Sequence, residues 1–347
     1  HIAQFLSFHA SFKVIGTLSS RMAGADGLNP QGIKRDKSVR RSFPLAEPTE
    51  TLTGGDFDAF EVNLMDASYG DPVLREELQQ GKKIHALFGA LFFNTTYEEI
   101  MATAGKPGME DKYSRSKSGV FALFFGGDEG TLARKLGIDE DLGREVFESM
   151  GHKYKVWAEN RQQIFDDFCS MVQEGGIGSK VIWRDPADYI ESLFGFRRYF
   201  TMENMICKVL FDLANNPPKH WSRFRGVKLV RRDREQTVAG ATRTALFACA
   251  FGIQAANMRA AANHVIQSSG ATITKRLQCN IWTLQPVGVN PWVVRPLNIH
   301  DEVMCPTRKG YEPAVKAKVD ETLDYYRETV PLIAMDWNSN MKNWAEK

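Results

Sequence analysis

Several signals that would fix a protein's class at once are missing from this sequence. Its five cysteines, Cys169, Cys207, Cys249, Cys279 and Cys305, are scattered, and no two stand in C-x-x-C spacing. Neither a zinc site nor a disulfide framework is indicated, and a reducing, intracellular setting is the simplest expectation. No stretch of eighteen apolar residues occurs, so no membrane-spanning helix is expected. The formal net charge is only +2 over 347 residues. That excludes a general polycation, and any nucleic-acid surface must come from local clustering. There is no internal repeat and no low-complexity tract. The start, His1-Ile2-Ala3-Gln4, has neither an initiator Met nor a signal-peptide pattern. The expectation is a fragment or processed chain that lacks an N-terminal portion.

What is present suits a globular protein: 43% of residues are apolar and 25% charged, enough for one large unit or two to three smaller ones. The most informative stretch is Leu297-Asn298-Ile299-His300-Asp301-Glu302-Val303-Met304. It reads as two short strands joined by a tight turn that carries Asp301 and Glu302. Two adjacent carboxylates held between apolar runs are costly unless a cation compensates them. Mg²⁺, which prefers oxygen ligands, would do so; a solvated Asp-Glu turn is the plainer alternative.

A second acidic position has a similar setting. Thr51-Leu52-Thr53-Gly54-Gly55-Asp56-Phe57-Asp58 predicts a strand that ends at a carboxylate and runs into a helix carrying Phe60, Val62, Leu64 and Met65. The alternative is that Asp56 or Asp58 caps that helix. Residues 71–100 predict helix, with His85, taken alone, a structural residue. Tyr113, Lys117, Phe121 and Phe125 recur every fourth residue, along one stripe of a helix that Gly126-Gly127 breaks. Ordinary packing would explain three aromatics, but a core stripe seldom includes Lys; charge for phosphate and a π-face for a base explain both. Residues 140–174 predict one continuous helix ended by Gly175-Gly176.

Two basic stretches, Lys34 to Arg41 and residues 219–234 with Trp221 and Phe224 interleaved, suit either phosphate contact or a solvated surface. A helix over 254–283 places Arg259, Asn263 and Gln267 on one face, as sugar and groove-edge contacts require or as a wet surface allows. Residues 315–326 predict a further amphipathic helix, and 332–335 a closing strand.

In order, these stretches resemble the polymerase domain of family A DNA polymerases, the bacterial DNA polymerase I and phage replicase type, from about Ser19 to the last residue. Gly55-Asp56-Phe57-Asp58-Ala59-Phe60-Glu61 is similar to motif A, usually DYSQIE. Lys117 to Gly126 is similar to motif B, usually KxxxFGxxYG, and residues 131–138 continue it in the family manner. Arg259, Asn263 and Gln267 match RxxxNxxxQ, and Ile299-His300-Asp301-Glu302-Val303 matches motif C, usually VHDE. Ser20-Arg21-Met22 and Gly27-Leu28-Asn29 are similar to the GRLSS and NLQN signature.

The resemblance implies an α+β right-hand polymerase fold with an antiparallel palm sheet and a mainly helical fingers subdomain. The expected division is a thumb remnant at 1–18, palm at 19–70, fingers at 71–253 with an insertion near 201–245, and palm at 254–347. It implies Asp56, Asp301 and Glu302 as catalytic, with Asp56, Asp301 and the Phe57 carbonyl holding two Mg²⁺ ions, for which Mn²⁺ can substitute. Lys117, Phe121, Phe125, Glu61, His85, Tyr113 and Arg115 form the expected nucleotide-binding set, Glu61 being the steric gate against a ribose 2′-OH. Arg21, Arg259, Asn263, Gln267 and His300 would contact primer and template.

The implied activity is DNA-directed DNA polymerase, a nucleotidyltransferase adding dNTPs to a primer 3′-OH. Primer–template DNA and dNTPs are the expected partners, with replication accessory proteins as further candidates. The expected location is cytoplasm or nucleoid of a bacterial or phage-infected cell. Some positions depart from the pattern: Phe125 stands for the usual Tyr, Tyr113 for the usual Arg (Lys112 or Arg115 being candidate substitutes) and Ala59 for the usual Gln. The rival readings are a single-subunit RNA polymerase or primase-like enzyme, against which Glu61 argues, and a non-catalytic nucleic-acid-binding module, against which the joint presence of Asp56, Asp301, Glu302 and Lys117 argues.

Overall fold

A computed structural model describes residues 10–25, 29–34, 36–224, 228–231, 234–288 and 292–347. Gly27 and Leu28, position 35 of the first basic stretch and positions 225–227 and 232–233 of the second lie outside the described residues, as do residues 1–9 of the expected thumb remnant and the side chains of residues 222–236.

In chain order the helices are α1 (Lys37–Arg40), α2 (Phe60–Tyr69), α3 (Pro72–Gln79), α4 (Ile84–Phe92), α5 (Tyr97–Met101), α6 (Lys112–Phe124), α7 (Glu129–Leu136), α8 (Glu140–Lys153), α9 (Lys155–Asp167), α10 (Thr201–Asn215), α11 (Val238–Trp282) and α12 (Glu312–Arg327). The strands are β1 (Ser11–Lys13), β2 (Ala23–Ala25), β3 (Glu50–Phe57), β4 (Met171–Val172), β5 (Ile182–Trp183), β6 (Tyr189–Glu191), β7 (Arg197–Tyr199), β8 (Lys228–Arg231), β9 (Arg234–Thr237), β10 (Leu297–Ile299), β11 (Glu302–Arg308) and β12 (Met335–Met341).

The chain divides into two compact units. The first comprises the described residues up to Gly70, Ser192–Phe196 and His264–Lys347; the second comprises Asp71–Glu191 and Arg197–Asn263. The change of unit on α11 falls between Asn263 and His264, and residues 192–196 group with the first unit.

The first unit is built on a four-stranded antiparallel sheet of order β10-β11-β3-β12. Its central strand β3 is buried along nearly its whole length, as a strand with neighbours on both edges requires. Gly54 and Gly55 let those neighbours close in. A Cβ on Gly55 would lie 2.2 Å from the Asp336 carbonyl oxygen, and one on Gly54 2.9 Å from that of Val303. Leu52, Ile299, Met304, Met341 and Trp344 form the core on this sheet. Helix α2 leaves β3 through Ala59, whose left-handed backbone (φ 43°) has no side-chain cap. Neither Asp56 nor Asp58 therefore serves as the helix cap. The second half of α11 packs on α2 at Gly270, where a Cβ would meet Leu64 and Phe60 at 3.1 Å.

The second unit is mainly helical. Helices α4 and α6 cross where Gly89 meets Ser116; a Cβ at Gly89 would lie 2.4 Å from the Ser116 hydroxyl. Residues 71–100 are helical as expected, in three helices, α3, α4 and α5. Gly81 (φ 75°) and Asn94 (φ 45°) turn the chain between them, and Asp71 and Thr96 cap α3 and α5. The single helix expected over 140–174 is two, α8 and α9, parted at Tyr154 (φ −110°, ψ 66°). The break buries the Tyr154 ring in a stack on Phe88, centroids 5.0 Å apart, and its hydroxyl donates to Glu77 at 2.7 Å. The apolar stripe continues across the break, so periodicity alone cannot see it. Helix α11 begins at Val238, well before the expected 254, its early turns rich in alanine. The closing strand runs over Met335–Met341 rather than 332–335.

Candidate active site

The β3–β11 register brings together residues 246 or more positions apart in sequence. Asp56 stands opposite Glu302, and on its other side opposite Asp336. Ile299 pairs with Glu302, so His300 and Asp301 are the two loop residues of a hairpin. His300 takes the positive φ (60°) that such tight primed turns demand. The turn is tied to β3: the Phe57 N–H donates to the Asp301 carbonyl at 3.5 Å. Asp56 and Asp301 thus sit at one end of one sheet, their side chains 34% and 27% exposed.

Cations meet these carboxylates within the unit. Lys347 places its ammonium 3.2 Å from Asp56 Oδ2 and 3.1 Å from Glu302 Oε2. Arg21 lies 3.4 Å from Glu61 and 3.5 Å from Asp301. Gln267 donates to Glu61 Oε1 at 3.1 Å, so two residues expected on primer and template converge on the expected gate. Burial pushes the Glu61 carboxyl above its ordinary value and the charge of Asp301 adds to that, while Arg21 and Gln267 pull it back. His300 faces the Gln31 carbonyl at 3.1 Å. A small cleft beside the turn is lined by Arg21, Gln31, Lys275, Asn298, His300 and Asp301.

Among the described residues no three or more His, Cys, Asp or Glu side chains are gathered into a ready-made metal cage. The donors present nevertheless suit a divalent cation such as Mg²⁺. Asp56 and Asp301 are hard oxygen ligands, both partly open to solvent, and the Lys347 ammonium already stands as a cation against Asp56.

The second unit holds the other set. Helix α6, capped by Asp111, carries Lys117, exposed, with its ammonium 6.0 Å from the Phe121 ring centre. Phe121 and Phe125 stack at 5.8 Å and 9°. His85, from α4, closes the group, 5.4 Å from Phe121 and 6.0 Å from Tyr113. Its Nδ1 is buried without a hydrogen-bond partner among the described residues, and burial, with Lys117 and Lys83 nearby, pushes the imidazole down to about 4. Gly126 (φ 82°) ends the stripe and approaches the backbone of Arg259, where a Cβ would stand 3.0 Å from its Cα. Arg259 is exposed and Asn263 half-buried. Arg115 is turned elsewhere: its guanidinium donates to the carbonyls of Leu136 and Met109 and lies 4.7 Å from the Phe93 ring centre. Lys112 also stands over Phe93, at 5.6 Å.

Three partners of the carboxylates were not foreseen, Arg40, Trp344 and Lys347, nor was Lys275, which lines the cleft beside Asp301. One signal was available. Continuing the four-residue step from Arg259 through Asn263 and Gln267 twice more reaches Lys275, whose ammonium donates to the Ser20 hydroxyl at 2.7 Å and to its carbonyl.

The antiparallel sheet with two aspartates at its end and the mainly helical second unit fit an α+β polymerase fold. Known proteins agree. The chain is 23% identical over 346 residues to DNA polymerase I of Chloroflexus aurantiacus, covering 97% of this chain and 29% of that one. It is 24% identical over 346 residues to the thermostable DNA polymerase I of Thermus filiformis, covering 95% and 32%. The chain thus spans about a third of the length of the curated relatives it matches. Among solved structures it matches the POL domain of Pol1 from M. smegmatis, in complex with DNA primer-template and dNTP. That match has a TM-score of 0.65 at 18% identity and covers 97% of this chain and 48% of that one. No protein-family model matches the chain. Together these show that the chain is similar in sequence to DNA polymerase I over about a third of that protein's length and shares the fold of a polymerase domain. No helix among the described residues is long and apolar enough to cross a membrane.

Proposed function

We propose that this chain is the catalytic region of a template-directed DNA polymerase, extending a primer 3′-OH with dNTPs by phosphoryl transfer. The observation that carries the proposal is the meeting of Asp56 and Asp301 at one sheet end, joined by the Phe57–Asp301 backbone bond. Asp56, Asp301 and the Phe57 carbonyl would hold Mg²⁺, or Mn²⁺ in its place. When bound, such ions neutralise the triphosphate and activate the 3′-OH. The chain's own groups do the rest. Glu61, held by Arg21 and Gln267, excludes a 2′-OH. Lys117 supplies charge to the triphosphate and Phe121 a face to base and sugar. Arg21, Arg259, Asn263, Gln267 and His300 contact primer and template. The proposed setting is the cytoplasm or nucleoid of a bacterial or phage-infected cell.

The test is one-nucleotide extension of a labelled primer–template with Mg²⁺, comparing dNTP with rNTP and wild type with Asp301→Asn. Templated dNTP addition is expected, reduced in the variant by about 10³-fold, with primer–template affinity within about threefold of wild type. Undiminished extension by Asp301→Asn would overturn the metal assignment. Equal use of rNTP would overturn the role of Glu61.

A further inference from the structure

Of the basic run at 34–41, one residue is not a surface cation at all. Arg40, the last residue of α1, is only 8% exposed. Its guanidinium lies 4.1 Å from the centre of the Trp344 ring, and its Nη1 reaches both oxygens of Glu302, at 3.5 and 3.3 Å. The indole Nε1 of Trp344 donates to Glu302 Oε1, and the Lys347 ammonium stands 3.1 Å from Oε2. Three donor groups thus converge on a carboxylate whose side chain is 2% exposed. A buried carboxylate without such partners is costly, and an arginine fork stacked on an indole is a strong and directional way to satisfy one.

Glu302 also stands opposite Asp56 in the sheet and next to Asp301 in the chain. To join them at a cation it would have to leave Arg40 and Trp344. The backbone helps to set the clamp. Asp36 caps α1, Asn343 caps the turn at Trp344–Glu346, and the Trp344 N–H donates to the Phe43 carbonyl at 3.1 Å.

We propose that Arg40 and Trp344 are positioning residues that hold Glu302 away from the divalent cation, so that Asp56 and Asp301 bind it and Lys347 is the exchangeable contact between Asp56 and Glu302. The proposal rests on the function proposed above. Its consequence is distinctive. A released Glu302 adds a carboxylate to the site, so cation affinity rises while the cation is drawn out of place and turnover falls. A role in folding alone would not raise affinity.

The experiment measures Mn²⁺ binding to the full chain by electron paramagnetic resonance, without DNA or nucleotide, alongside one-nucleotide extension. Arg40→Met is expected to bind Mn²⁺ about threefold tighter and to lose about tenfold in extension kcat, with the KM for dNTP within about twofold. Trp344→Phe, which removes one donor and keeps a ring, should move both quantities the same way but less. It carries the test if Arg40→Met fails to fold. Adding Glu302→Gln to Arg40→Met should return Mn²⁺ affinity to the wild-type value. Unchanged or weaker Mn²⁺ binding in a folded variant overturns the clamp. If wild type extends no primer, the polymerase proposal fails, while the Mn²⁺ titration still decides whether Glu302 is withheld.

Discussion

The two units assemble their chemistry in opposite ways. In the first, every expected carboxylate has a partner that arrives from far along the chain: Lys347 on Asp56, Arg21 on Asp301 and Glu61, and Arg40, Trp344 and Lys347 on Glu302. In the second, the set lies mostly on one helix, with Lys117 exposed and two rings stacked behind it. Charges clustered at a sheet end repel one another and must be compensated locally. A lone lysine on a solvated helix face needs no compensation, because water provides it. The first arrangement depends on close backbone packing, the second on side-chain chemistry.

That difference can be broken first where packing decides. Gly55→Ala puts a Cβ where the Asp336 carbonyl oxygen would be 2.2 Å away. The backbone of β12 must move, and overpacking of this kind costs about 3 kcal/mol. Denaturant unfolding should show the loss, with extension failing alongside it. A variant of wild-type stability would mean that the sheet does not fix the site. On the other unit the contrast predicts activity loss without instability. Lys117→Ala should leave the unfolding midpoint unchanged and lower kcat/KM for dNTP by about 100-fold, about 2.7 kcal/mol of transition-state stabilisation. Loss of stability with unchanged kcat/KM would assign Lys117 to structure.

The same contrast explains how much was legible from sequence. The α6 stripe could be read from four-residue spacing because its members share a helix. The turn at Asp301 could be read because apolar runs flank it. The cations could not, because Arg40 and Lys347 reach Glu302 only through tertiary packing, and a basic run looks the same whether solvated or buried. The break at Tyr154 was hidden for a related reason. The apolar pattern runs on through it, and what stops the helix is the place the ring finds against Phe88.

A smaller effect sharpens the comparison at Glu61, the one group that belongs to the sheet unit yet is assigned to nucleotide choice. Glu61→Ala removes the carboxylate that Arg21 and Gln267 hold. Discrimination against rNTP should fall by about tenfold, or about 1.4 kcal/mol, while dNTP use changes less. Parallel single-turnover rates for the two sugars would show it. Equal losses for both would mean that Glu61 only anchors Arg21.

The smallest effect concerns His85, where the helical unit does bury a titratable group. Its imidazole is pushed down to about 4, chiefly by burial, against about 6.5 in an unfolded chain. Between those values the unfolded state binds more protons, so this group makes stability rise with pH from about 4 to 6.5 and adds no slope above. Acidification from pH 7 to 5 should therefore cost wild type about 1 kcal/mol more than His85→Gln, a figure reduced for partial solvent screening. Denaturant midpoints at the two pH values measure the gap. Identical slopes would show that the imidazole ionises in place, and the cluster with Tyr113 and Phe121 would then be as open to water as Lys117 beside it.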